Sequence, residues 1–422
     1  MVVHRSPNSP GAPLPSQQMC GNCVVARLYQ NSPLFRVSPE VAPFDSAAAG
    51  HCDQESIWDH TKLLFMSHNP SECPLGVGEL HLSSNQLVGS LPQSIGQLKS
   101  LLSLHISINK LIGPIPTTIG NMTKLEYLYL SSNQLVGSIP QSIGQLKFLV
   151  SLDLSYTGRT GPIPITIGNM SSLSQLHLQN NQINGSLPEE LGQMIQLQDL
   201  DLSHNKLIGP IPATIGNMTK LEYLELTSNQ LVGSLPQLIG QLKYLCSLDL
   251  SFNQLVGSPP QSIGQLKSLF SLHISINKLI GPIPTTIGNM TKLEEIVLSS
   301  NQLVGSLPQS IGQLYSLRSL DLSFNYLIGP IPTTIGTMLN LFQLHLQNNQ
   351  INGSLPKELG QMIQLQDLDL FHNKLVGPIP ATIGNMTNLE YLNLSSNQLV
   401  GSLPQSIGQL KSLFPFIYLL TS

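Results

Sequence analysis

Apolar residues recur along most of this chain in one frame, L-x-x-L-x-L-x-x-N-x-L-x-G-x-[IL]-P-x-x-[IL]-G, which returns every 24 residues. Its first part alternates with period two and predicts a short strand. In Leu125–Asn133 the leucines Leu125, Leu128 and Leu130 face inward and the residues between them face out. Consecutive strands fall side by side in one parallel sheet; at ~4.8 Å a step, fourteen span roughly 65 Å. A fixed period of this kind means stacked units, each burying its apolar side only against its neighbours.

A polar residue keeps the same time. Asparagine stands at Asn85, Asn109, Asn133, Asn181, Asn205, Asn229, Asn253, Asn277, Asn301, Asn325, Asn349, Asn373 and Asn397, and only Thr157 breaks the series. The chain turns sharply after each strand and leaves backbone N–H and C=O groups facing the core. A buried carboxamide has donors and an acceptor for both. Leu or Ile two residues later returns to the core, Gly permits the bend, and Pro fixes φ where no ladder donor is needed. Residues 83–243 match 251–411 at most positions, an offset of 168, so a block of seven repeats has been duplicated.

This pattern divides the chain. Residues 1–50 are Pro/Ser/Ala-rich and are expected to be disordered. Residues 51–76, with Trp58, Leu63, Leu64, Phe65 and Met66, are a candidate degenerate cap. The solenoid is expected over 77–412 as about fourteen repeats. An uncapped tail, 413–422, begins a fifteenth strand that Pro415 interrupts.

Composition narrows the function. Only 10% of residues are charged, the net charge is −4 and no basic run occurs, which argues against nucleic acid. The opening MVVHRSPNSPGAPLPSQQ lacks the apolar run of a secretory signal, and no stretch of ~18 apolar residues predicts a membrane span. Cys20 and Cys23 form a C-x-x-C that Cys52 and Cys73 could complete as a zinc site, but the second C-x-x-C is missing. Scattered thiols are the reading adopted, and no metal or cofactor is expected. Cys246 stands alone in a repeat.

The whole frame resembles the plant-type leucine-rich repeat, whose distinguishing portion is G-x-[IL]-P-x-x-[IL]-G. The resemblance implies an α/β solenoid: a right-handed superhelix with a parallel concave β-sheet and a second short strand near G-x-I-P. Members include ectodomains of receptor-like kinases, receptor-like proteins and polygalacturonase inhibitors. They bind peptides, steroids, partner receptors or wall enzymes on the concave or adjoining lateral face. The implied function is non-catalytic recognition of a protein or peptide, with a co-receptor among the partners, in signalling or defence at the cell surface. The chain departs from those members: no W-x-G-V-x-C cap and no kinase string occurs. A soluble cytoplasmic scaffold and a polygalacturonase-inhibitor-like protein are the alternative readings, and whether the chain is a fragment of a longer receptor is left open by the sequence.

The outward strand positions then become the candidate ligand-binding residues: Tyr127, Tyr129, Tyr156, His177, Asp201, Tyr223, Glu225, Phe252, Ile276 and Phe324. His177 beside Asp201, and His345 beside Asp369, could form a pH-sensitive stripe. Phe252, Ile276 and Phe324 fall within four successive strands and suit a binding hot spot. Both features have plainer readings, as a solvated face and as rings packed over the ladder Asn. Sequons occur at Asn121, Asn169, Asn184, Asn217, Asn289, Asn352, Asn385 and Asn393. Two faults stand out. Arg159 occupies a core leucine position, where the guanidinium is expected to escape to solvent, and Pro259 replaces an inward Leu or Ile. Histidines and acids are spread over repeat positions, without nucleophile, base and orienter gathered for catalysis.

Overall fold

The computed structural model describes residues 78–413. The expected disordered segment, the candidate cap, the four N-terminal cysteines and the tail beyond Leu413 lie outside them. Fourteen strands form one parallel sheet in strict chain order, from Gly78–His81 and Leu101–His105 to Tyr391–Asn393. Register steps by 24 residues, so Leu128, Leu152 and Leu176 stand side by side. After each strand comes a turn. In most repeats a short second strand follows, as at Gln134–Gly137, and then a five-residue 3-10 helix such as Gln141–Gln145. Pro140 leads into that helix with φ −70° and ψ 143°, the fixed geometry proline favours. The second strands lie just before the x-I-P segment and pair in groups of six, two and three.

The core runs the length of the stack. In one coil Leu125, Leu128, Leu130, Leu135, Ile143 and Leu146 are fully buried. Each contributes about 1.5–3 kcal/mol relative to exposure. On the helical side the coils approach backbone to backbone: a Cβ on Gly144 would collide with Thr166 O in the next coil. Thr166 Oγ1 reaches back to Gln141 O at 2.7 Å, a hydroxyl bond that recurs in other coils.

The asparagine ladder has the expected form. Asn229 Nδ2 donates to Leu202 O in the preceding coil at 3.0 Å and to Leu226 O and Thr227 O in its own. Its Oδ1 accepts from Leu207 N at 3.0 Å. The carboxamides from Asn109 to Asn397 thus tie neighbouring coils together, whereas Asn85 bonds only within its own coil. The terminal ones are less enclosed: Asn85 is exposed and Asn397 half-buried.

Arg159 corrects the expectation that it escapes to water. It is wholly buried, the largest side chain to be so. Its Nη1 donates to Val136 O at 2.8 Å, while Nε and Nη2 have no partner. Burial pushes its pKa down to about 10. The slot is closed by fully buried Leu135 and nearly buried Ile183 in the flanking coils, so the guanidinium has no open path. Pro259 is buried in the inward position assigned to it.

Candidate functional site

The outward face of the main sheet is built from columns, because each strand sits in register with the next. The fifth-position column holds six acids, Asp153, Asp201, Glu225, Asp249, Asp321 and Asp369. It also holds His81, His105, His177, His273 and His345. The third-position column holds Glu79, Asp199, Glu295 and Asp367, with Tyr127 and Tyr223 among them. Several Asp residues also support the turn that follows their strand. Asp201 Oδ1 accepts from Ser203 N at 2.9 Å, and Asp249 Oδ1 from Ser251 N at 2.8 Å. Asn393 does the same for Ser395 without a charge.

His177 is in register with Asp201, as expected, yet its Nε2 bonds elsewhere, to Asp199 Oδ2 at 2.9 Å. The same diagonal recurs from His345 to Asp367 at 3.0 Å and from His273 to Glu295 at 3.2 Å. Hydrogen bonds to Asp199 and Asp367 raise the pKa of His177 and His345, against the lowering effect of burial. At the other end of the sheet, His81, His105 and Tyr129 pack ring to ring, tilted and then edge to face, with centroids 4.3 and 4.6 Å apart, and Tyr127 lies beside Tyr129.

Glu225 lies between Asp201 and Asp249 on consecutive strands. Burial, reinforced by Asp249 and Asp201, pushes its carboxyl up to about 7, although Ser247 Oγ donates to it at 3.0 Å.

The eighth position, before the ladder Asn, is left-handed in every coil, including Ile108 at φ 58° and Ile276 at 53°. For a β-branched residue this is a strained backbone. The side chains there point away from the core. Tyr156 is 58% exposed, Phe252 52%, Phe324 53% and Ile276 43%. Phe252 and Ile276 stand on adjacent coils and Phe324 two coils further; Tyr156 is four coils before Phe252, roughly 19 Å away. Tyr223 and Glu225 share the strand Tyr223–Glu225 and face outward with Asp201.

Sequence reasoning missed Asp199, Glu295 and Asp367. The signal was available as His followed 22 residues later by an acid. Of the sequons, Asn121, Asn169, Asn217, Asn289 and Asn385 are exposed at the ends of 3-10 helices, and Asn184 and Asn352 lie exposed on second strands. Asn393 is half-buried, its Nδ2 held by Tyr391 Oη and its Oδ1 by Ser395. Among the described residues no helix is long and apolar enough to cross a membrane. Cys246 is half-buried, with a free thiol.

Two family models match. The leucine-rich repeat region covers residues 119–211 and 200–303, and the single leucine rich repeat covers 77–98, 316–338, 340–362, 364–386 and 388–410. A leucine-rich repeat protein of Leptospira interrogans is similar at 37% identity and TM-score 0.64, over 80% of this chain and 82% of that one. This chain belongs to the leucine-rich repeat family. Its G-x-[IL]-P frame and its likeness to plant receptors make it a plant-type member. The plant peptide hormone receptor RGFR1, solved in complex with RGF2, is 36% identical with TM-score 0.66, over 79% of this chain and 61% of RGFR1. A TDR receptor is 35% identical with TM-score 0.75, over 80% and 59%. This leucine-rich repeat chain therefore spans about three-fifths of those two receptor chains. No curated protein matches it.

Proposed function

We propose that this leucine-rich repeat protein recognises a polypeptide, without catalysing a reaction, through the outward face of its main sheet. One observation carries the reading. The frame positions repeat almost unchanged, whereas the third, fifth and eighth positions change chemistry from coil to coil, through His, Tyr, Asp, Glu, Phe and Ile. A surface that varies on an invariant scaffold is built to discriminate. The similar receptor RGFR1 was solved with RGF2, and the receptor kinase HAESA ectodomain, 33% identical with TM-score 0.54, with a peptide hormone. Those likenesses support a receptor-like role at the cell surface; a co-receptor as a further partner and glycans at the exposed sequons are part of the same proposal.

The test is selection of random dodecapeptides on the immobilised full chain. Selected peptides should lose binding to a Phe252→Ser/Phe324→Ser double variant and keep it on a Phe148→Ser/Tyr315→Ser control. The reverse pattern would move the site off the sheet face.

A further inference from the structure

Charge on the solenoid is sorted by face. The third and fifth columns of the main sheet carry ten carboxylates and, among the described residues, no Lys or Arg. The cations stand elsewhere. Lys206 and Lys374 open second strands, Lys147 and Lys243 follow the 3-10 helices, and Arg159 is in the core. Arg318 precedes its strand and pairs with Glu294 at 3.3 Å.

The frame does not demand these acids. Asn393 makes the same bond to its following serine with a neutral amide, and Val297 and Tyr129 fill the same column. Like charges opposite one another on adjacent strands repel. Asp201, Glu225 and Asp249 nevertheless stand on three consecutive strands with no cation between them. Burial is the main reason the Glu225 carboxyl is raised, and Asp249 and Asp201 add to the rise. Next to this run, Phe252, on the same coil as Asp249, and Ile276, on the following coil, project from a strained left-handed backbone.

We infer that this face takes a polypeptide segment whose Lys or Arg side chains lie over Asp201, Glu225 and Asp249 and whose apolar side chain rests on Phe252 and Ile276. The inference depends on the docking surface proposed above and adds the chemistry of its partner. The same field disfavours nucleic acid, acidic polysaccharide and anionic lipid on this side. A bound cation favours the ionised form of Glu225, whose carboxyl sits at about 7, and His177, raised by its bond to Asp199, adds positive charge on the acid side. With Asp153, Asp199, Asp201, Asp249, Tyr223 and Ser247 as the facing groups, affinity rises from about pH 6 to about pH 8.

The dodecapeptides selected on the full chain decide it. They should be enriched in Lys and Arg, weaken as salt rises, and bind about tenfold more weakly to an Asp201→Asn/Glu225→Gln/Asp249→Asn variant, through slower association. The amides keep the local bonds to Ser203 and Ser251, so folding is preserved. Peptides sensitive to Phe252→Ser/Phe324→Ser but without cationic excess would overturn this inference and leave the docking surface standing. Peptides indifferent to both sets of substitutions would overturn both. Self-association of the chain, abolished by the same three substitutions, would put a second copy in place of the peptide and also overturn it.

Discussion

The two seven-repeat blocks form a natural control experiment, since residues 83–243 and 251–411 share one frame and match at most positions. In the second block Asn325 Nδ2 reaches Leu298 O, Leu322 O and Ser323 O at 3.1 Å each, and its Oδ1 accepts from Leu303 N at 3.0 Å. In the first block Thr157 has only a hydroxyl, which faces Leu154 O at 3.0 Å and Asn181 Oδ1 at 2.7 Å. Leu135 N, the counterpart of Leu303 N, loses its carboxamide acceptor. Two residues on, Leu327 is a buried leucine and Arg159 a buried cation with two unpartnered nitrogens. The stack tolerates this because each coil is coupled only to its neighbours, and Asn133 and Asn181 on either side keep their bonds. A solenoid localises a fault that would unfold a single-core domain.

The largest effect should come from moving the fault into the intact block. Leu327→Arg buries an unpaired cation among leucines and should cost roughly 3–5 kcal/mol, read by urea unfolding. A loss below about 1 kcal/mol would mean that the Arg159 slot is not specially unfavourable. Repairing the first block should act in the other direction. Arg159→Leu with Thr157→Asn should gain about 2–3 kcal/mol and raise the melting temperature; an unchanged or lower one would show that Arg159 is better accommodated than its orphaned nitrogens imply.

The blocks differ again at Glu225, whose counterpart is the neutral Asn393. The folded carboxyl is held at about 7, above the unfolded value, so the unfolded chain ionises first. Stability therefore falls as pH rises from about 4.5 to 7. Glu225→Gln should match the parent in acid and exceed it above about pH 7, with no such crossing after Asn393→Gln; parallel curves would refute the assignment. The smallest effect concerns what the blocks share. His177 and His345 have raised folded pKa values, so their pairs stabilise fully below the unfolded value, near 6.5, and fade as pH rises through the folded one. His177→Gln and His345→Gln should cost similar amounts, under about 1 kcal/mol, at about pH 5.5 and almost nothing at about pH 8.5. Unequal costs would break the equivalence of the blocks.

The coil frame was legible because leucine at period two and asparagine at period 24 have single physical jobs. The columns of the sheet followed from register alone. Partners within them did not. Alignment at 24 residues places His177 beside Asp201, whereas side chains on neighbouring parallel strands lean diagonally and Asp199 takes the bond. The left-handed eighth position was hidden because Ser, Phe, Ile and His occupy it, where local preference favours Gly or Asn. Arg159 was misjudged because a long side chain usually reaches water, and only the closure of the neighbouring coils prevents it.

Carboxamides that bridge coils hold this stack together, and amide hydrogen exchange at Leu207 tests that role most directly. The Leu207 N–H donates to Asn229 Oδ1. In an Asn229→Ala variant that site should exchange about 10- to 100-fold faster than in the parent, while Leu303 N–H, served by Asn325, keeps its rate. An unchanged rate at Leu207 would contradict the ladder as the element that joins the coils.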